Sequence, residues 1–192
     1  MGIEIERQWI APDDVVLPDR IGPFEADEVE QRTIVDTYLD TADATLRAGG
    51  GRLRIRVQNG RRLATFKRSL EGAVDGVRRR EEVEGPADGD PERSDAFRAA
   101  RALTTDPLEP VGTLHTDRAA REYRHGALAV EAVIDHLRYP DGSEETRVEA
   151  EGDEQSVEVF ARELERTVAG IVPAATTKGA ELERRLGDVD NA

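Results

Sequence analysis

Residues 36–56 read DTYLDTADATLRAGGGRLRIR, and the fold turns on how this stretch is laid out. From 52 to 57 (RLRIRV) the pattern alternates strictly. Arg52, Arg54 and Arg56 fall on one face of an extended strand, and Leu53, Ile55 and Val57 on the other. Asn59-Gly60 follows as a hairpin turn, and 61–70 returns as the partner strand. Upstream, RTIVDTYL at 32–39 reads as another strand. Thr41 can cap a short helix over 42–48, ended by the glycines at 49–51.

The same grammar continues outward. Residues 3–10 alternate as a strand, and 11–30, with three prolines and many acids, reads as a long acidic loop. Further strands are expected at 76–84, 111–115, 118–124, 128–139 and 145–151. Asp90-Pro91 starts a helix running to about 103, with Phe97, Ala100 and Leu103 inward. The clearest helix spans 155–171, where Val157, Phe160, Leu164, Val168 and Ile171 form one apolar stripe. A short helix over 178–186 closes a single domain of 192 residues. Many strands with hairpin turns and few helices make an α+β chain built on a barrel or a sandwich.

Several strands carry charge on one face at period two. Glu4 and Glu6 share a face with Gln8. Arg78, Arg80, Glu82 and Glu84 share another, as do Glu131 with Asp135 and Glu149 with Glu151. Any single strand of this kind simply turns its charges to water. If the sheet closes into a barrel, all these faces converge. An interior lined by both signs is then costly without a ligand. A polyphosphate with bound cations supplies both missing partners: arginines grip phosphate oxygens, and carboxylates hold Mg²⁺ or Mn²⁺.

Composition narrows the partners. The chain has 41 acidic against 27 basic residues, a formal charge of −14. Such a surface repels nucleic acid and anionic lipid. Lys67 and Lys178 are the only lysines, and this arginine-for-lysine, acid-rich balance resembles proteins of salt-loving microbes. The two lysines therefore mark places where a compact ammonium is wanted. There is no cysteine, no apolar run of membrane-spanning length and no signal-peptide pattern at the start, so a cytoplasmic location is expected. His115, His125 and His136 are scattered without metal-ligand spacing, and Trp9 and Phe66 fall on apolar strand faces as core.

The order of these motifs resembles the CYTH superfamily, the triphosphate tunnel metalloenzymes. Glu4-Ile5-Glu6-Arg7-Gln8 resembles the family's E-x-E-x-K opening, and residues 36–56 its D-x-Y-F/L-D-T followed by L-R-x-R. Thr65-Phe66-Lys67 is similar to the T-x-K strand, REEVE at 80–84 to R-x-E-x-E, VEAE at 148–151 to the paired late acids, and Thr177-Lys178 to the closing S/T-K. The resemblance implies an eight-stranded antiparallel β-barrel forming a tunnel, with flanking helices. It also implies hydrolysis of inorganic, nucleoside or thiamine triphosphate with Mg²⁺ or Mn²⁺, or else adenylyl cyclisation. Arg52, Arg54, Arg56, Lys67, Lys178 and either Arg118 or Arg121 would bind the triphosphate. Glu4, Glu6, Glu82, Glu84, Glu149 and Glu151 would bind metal, assisted by Asp135. Glu4, Glu6, Lys67 and Lys178 would carry the catalysis. Gln8 departs from the pattern: it replaces a lysine with a neutral donor, and Arg7 points to the opposite face. That departure leaves open a triphosphate binder without turnover. The apolar face of Leu53, Ile55 and Val57 needs cover from helices, the 155–171 helix among them, or from a second subunit in a homodimer.

Overall fold

The computed structural model describes the backbone over 2–70 and 77–189 and side chains over 5–70 and 79–187. The expected strand start at Gly76 and the side chains of Glu4 and Arg78 lie outside these described residues. In chain order the elements are β1 (Gly2–Ala11), β2 (Arg20–Ile21), β3 (Phe24–Ala26), β4 (Glu30–Asp40), α1 (Thr45–Ala48), β5 (Gly51–Gln58), β6 (Arg61–Ser69) and β7 (Val77–Pro86). Then come α2 (Asp95–Arg101), β8 (Glu109–His125), β9 (Leu128–Arg138), β10 (Glu144–Gly152), α3 (Glu154–Thr167), β11 (Val172–Pro173) and α4 (Lys178–Val189).

Eight of the strands close an antiparallel barrel in the order β4-β5-β6-β7-β1-β10-β9-β8, with β8 pairing back onto β4. The Asn59-Gly60 turn has both residues at positive φ (51° and 73°), the type I′ geometry that matches strand twist. Register then fixes which charges meet. Arg56 lies opposite Asp36, Arg118 opposite Asp135, Gln8 opposite Glu149, and Lys67 opposite Glu82.

The apolar cores lie mostly outside the barrel. Helix α3 lays Phe160 and Leu164 on Trp9, Tyr123, Val130 and Val148. Helix α2 lays Ala96, Phe97 and Ala100 on Leu53, Ile55, Ala64 and Phe66. Cover for the reverse face of the arginine strand thus comes from α2, not from the later helix. Val57, near the end of that face, stays 38% exposed. A third cluster (Tyr38, Leu114, Leu137, Tyr139 and Leu182 of α4) occupies the inward strand faces and floors one end of the barrel.

Four expectations change in detail. Residues 111–115 and 118–124 are one strand, because Thr116 and Asp117 continue the pairing with Ile34 and Thr33. The acidic segment is not all loop: β2 and β3 add a small side ribbon to β8. Asp90-Pro91 starts only a single 3-10 turn over Pro91–Arg93, and helix α2 follows from Asp95, where the Ser94 hydroxyl accepts the Phe97 amide at 3.2 Å. The short helix after β4 also starts late, at Thr45. Asp40 already accepts the amides of Leu46 (2.8 Å) and Arg47 (3.0 Å), while Ala44 is left-handed.

Candidate functional site

Inside the barrel is a cavity of about 660 Å³. Arg52, Arg54, Arg56, Lys67, Arg118 and Lys178 line it, together with Glu6, Glu82, Glu84, Glu149 and Glu151. Period-two placement on closed strands is what brings residues so far apart in sequence to one space.

On the basic side, Asp36 organises two arginines. Arg56 donates to it twice, Nε to Oδ1 and Nη2 to Oδ2, both at 2.8 Å, and Arg54 Nη1 approaches at 3.3 Å. Burial alone would raise the Asp36 carboxyl, but Arg54 and Arg56 overcome it and hold it down to about 2. The buried Nε atoms of Arg52 and Arg32 meet no acceptor among the described residues. Two unanswered guanidinium donors on one cavity are the complement of an oxyanion.

The acidic side centres on Glu149. Lys178 Nζ pairs with both Glu149 and Asp135. Arg118 Nη2 reaches Glu149 Oε2 at 3.3 Å. Gln8 Nε2 donates to Glu6 Oε1 at 2.9 Å and also to Glu149. Arg80 pairs with Glu6. Burial opposes ionisation of Glu149, yet Lys178 and Arg118 keep it well below the usual carboxylate range. Asp135 is likewise lowered by the same two cations against burial. At one edge of the cavity, Lys67 Nζ lies 3.5 Å from Glu82 Oε1, and Thr65 donates to Glu84 at 3.0 Å.

Asp135 is fully buried behind Arg118 and Lys178 rather than on the wall, so it positions cations instead of facing the cavity. Glu4 pairs in register with Arg80, and its side chain lies outside the described residues. Arg121 is a correction. It points out of the barrel, donating to the carbonyls of Leu17 and Asp27 at 3.1 Å and to Asp19 at 2.7 Å. One residue of odd and one of even phase cannot both face inward from the same strand, and Arg118 holds the inward phase. Neither Arg32 nor Arg147 is singled out by the motifs above, and Asp36 enters there only as the first residue of the 36–56 stretch. All three were legible as period-two neighbours: Arg32 and Asp36 on β4, and Arg147 beside Glu149 and Glu151.

The carboxylates are hard oxygen donors of the kind Mg²⁺ and Mn²⁺ prefer. Among the described residues, no three acids or histidines converge at metal-ligand spacing. The donor chemistry fits a divalent cation, while the present partners of these acids are Lys178, Arg118 and Arg80.

A closed antiparallel tunnel walled by opposed rows of guanidiniums and carboxylates defines a class of protein. Residues 2–177 match the CYTH domain, and the chain belongs to that family. Among solved structures it is similar to HpAC1 from Hippeastrum, a candidate adenylyl cyclase reported with a dominant triphosphatase activity (19% identity, 95% of this chain and 96% of that one, TM-score 0.68). It is also similar to a candidate adenylate cyclase from Bacillus halodurans (21% identity, 94% and 98%, TM-score 0.66). A third is the PH1819 protein from Pyrococcus horikoshii (17% identity, 96% and 99%, TM-score 0.53). At these identities the likeness is one of fold. No curated protein aligns significantly with the chain.

Proposed function

We propose that this protein hydrolyses triphosphates within the barrel, with a divalent cation, Mg²⁺ or Mn²⁺, held on its acidic side. The observation that carries this reading is the division of one cavity of about 660 Å³ between a guanidinium wall and a carboxylate wall. Arg52, Arg54 and Arg56 hold the phosphate chain by charge-assisted hydrogen bonds, with Lys67 closing on it from the neighbouring β6 and Arg118 from β8, two strands away on the other side. Donors fixed by Asp36 and Asp135 need little rearrangement as charge builds on the leaving phosphate. Glu6, Glu149 and Glu151, with Glu4, Glu82 and Glu84, are the candidates to hold the cation. When bound, it neutralises phosphate oxygens and acidifies the attacking water. Lys178 and Arg118 keep the Glu149 carboxyl ionised against burial, so it offers the cation a charged oxygen ligand.

Among the described lining residues Tyr38 is the aromatic one, and it is only 7% exposed. A purine would meet guanidinium planes but no exposed ring there, whereas a bare triphosphate needs only the charges, which favours inorganic triphosphate over ATP cyclisation. The test is phosphate release from tripolyphosphate, ATP and thiamine triphosphate with each metal, alongside a cyclic AMP assay and an Arg54→Ala control. Binding of tripolyphosphate without release from any substrate would replace hydrolysis with binding.

A further inference from the structure

We propose that Arg147 is a positioning residue of this cavity, fixing from beneath its lining which way the Gln8 amide faces and where Lys178 stands. The inference rests on the triphosphate reading for its catalytic consequence and on geometry alone for the coupling.

Arg147 is 1% exposed, on the inward face of β10 between Glu145 and Glu149. Its Nη1 donates to Gln8 Oε1 at 3.2 Å and to the Thr176 carbonyl at 2.7 Å, while its Nε is taken by Glu145. A guanidinium can only donate, so Gln8 must turn its oxygen toward Arg147. The amide nitrogen is then forced the other way, where it bridges Glu6 and Glu149. An inverted amide would set a carbonyl oxygen against those acids and an N–H against the guanidinium. The second contact works on the opposite flank. Thr176 stands two residues before Lys178, whose ammonium joins Asp135 to Glu149. One buried side chain thus sets two of the donors that hold the central acid.

This arrangement explains how a glutamine can stand where the family resemblance leads one to expect lysine. An ammonium at position 8 would bring a second cation against a guanidinium that already lies 3.2 Å from the present oxygen. The guanidinium on the adjacent strand and the glutamine form a matched pair. Lysine at position 8 should therefore harm this protein.

The test is a double-mutant square on the full chain: parent, Gln8→Lys, Arg147→Met and the double variant. Three quantities are read: the melting temperature without ligand, tripolyphosphate affinity by calorimetry, and kcat and KM for tripolyphosphate with Mg²⁺. Each single variant should lower kcat by about 10–100-fold. Gln8→Lys should lower the melting temperature only where Arg147 is present, and the double variant should outperform both singles. Independent effects in melting temperature and affinity, or a gain from Gln8→Lys alone, would overturn the proposal. If none of the four proteins releases phosphate, the triphosphatase reading fails. The melting and calorimetric squares still decide the role of Arg147. Should Arg147→Met not fold, the same square is run with Arg147→Gln, which is neutral and keeps a donor for Gln8.

Discussion

The guanidinium of Arg118 lies flat against the carboxylate of Asp135, Nε to Oδ1 at 2.7 Å and Nη2 to Oδ2 at 2.8 Å. Asp135 is fully buried and also holds Lys178, so one charge anchors two cavity cations from below. Asp135→Asn leaves both cations facing a neutral amide. A loss of about 3–5 kcal/mol in urea unfolding is expected, as for any buried ion pair robbed of one partner. An unchanged unfolding midpoint would show that the anchor is dispensable.

Arg118 and Arg121 make a natural inside-outside comparison on one strand. Arg118→Ala removes a charged donor from the cavity and should raise KM for tripolyphosphate about tenfold or more. Arg121→Ala should leave KM within about twofold of the parent, since its contacts are with the carbonyls of Leu17 and Asp27 and with Asp19. Its effect belongs instead to the attachment of residues 12–29, read as faster proteolysis there. Equal KM changes in initial-rate assays would contradict this placement.

Stability should fall in acid over a defined window. The Asp36 carboxyl titrates near 2 in the folded protein against an ordinary value of 3.8. A depressed folded value means that its contribution is complete above about pH 4 and is lost as pH falls toward 2. Its size is about 2 kcal/mol. Asp135 and Glu149, also lowered, add to the loss in the same direction. Chemical denaturation between pH 6 and pH 2 reads the slope. In Asp36→Asn the slope should be shallower, and a slope identical to the parent's would remove Asp36 from the account.

Chelation separates the two walls. EDTA should abolish phosphate release, and Mg²⁺ or Mn²⁺ should restore it. Tripolyphosphate should still raise the melting temperature in EDTA, because Arg52, Arg54 and Arg56 do not depend on metal. Glu149→Gln should lose rescue by metal while keeping that thermal shift. Phosphate release that persists in excess chelator would sink the metal requirement.

Much of this was legible in the primary structure because both relevant patterns are local. Strict alternation at 52–57 placed three arginines on one face, and Asn59-Gly60 set the hairpin beside it. The two lysines, rare in the chain, both line the cavity. What escaped depended on register between distant strands. Nothing near Arg147 in sequence reveals that it will meet Gln8, because β1 and β10 pair only once the barrel has closed. The choice between Arg118 and Arg121 needed the phase of a 17-residue strand that the sequence pattern had split in two. For the cover over Leu53 and Ile55 the sequence leaves helices, the long 155–171 one among them, and a second subunit as alternatives. The shorter α2 takes it, since it follows β7 and sits directly behind that side of the sheet.

The first strand is zipped to β7 on one side and to β10 on the other, so the barrel closes between residues 2–11 and 144–152. During synthesis, the strand carrying Glu149 and Arg147 appears some 140 residues after Glu6 and Gln8. Until then β1 has an unpaired edge exposed to neighbouring nascent chains. The centre around Glu149 therefore cannot assemble before residues 144–152 have been made, and a ribosome-stalled fragment ending before residue 144 should bind no tripolyphosphate.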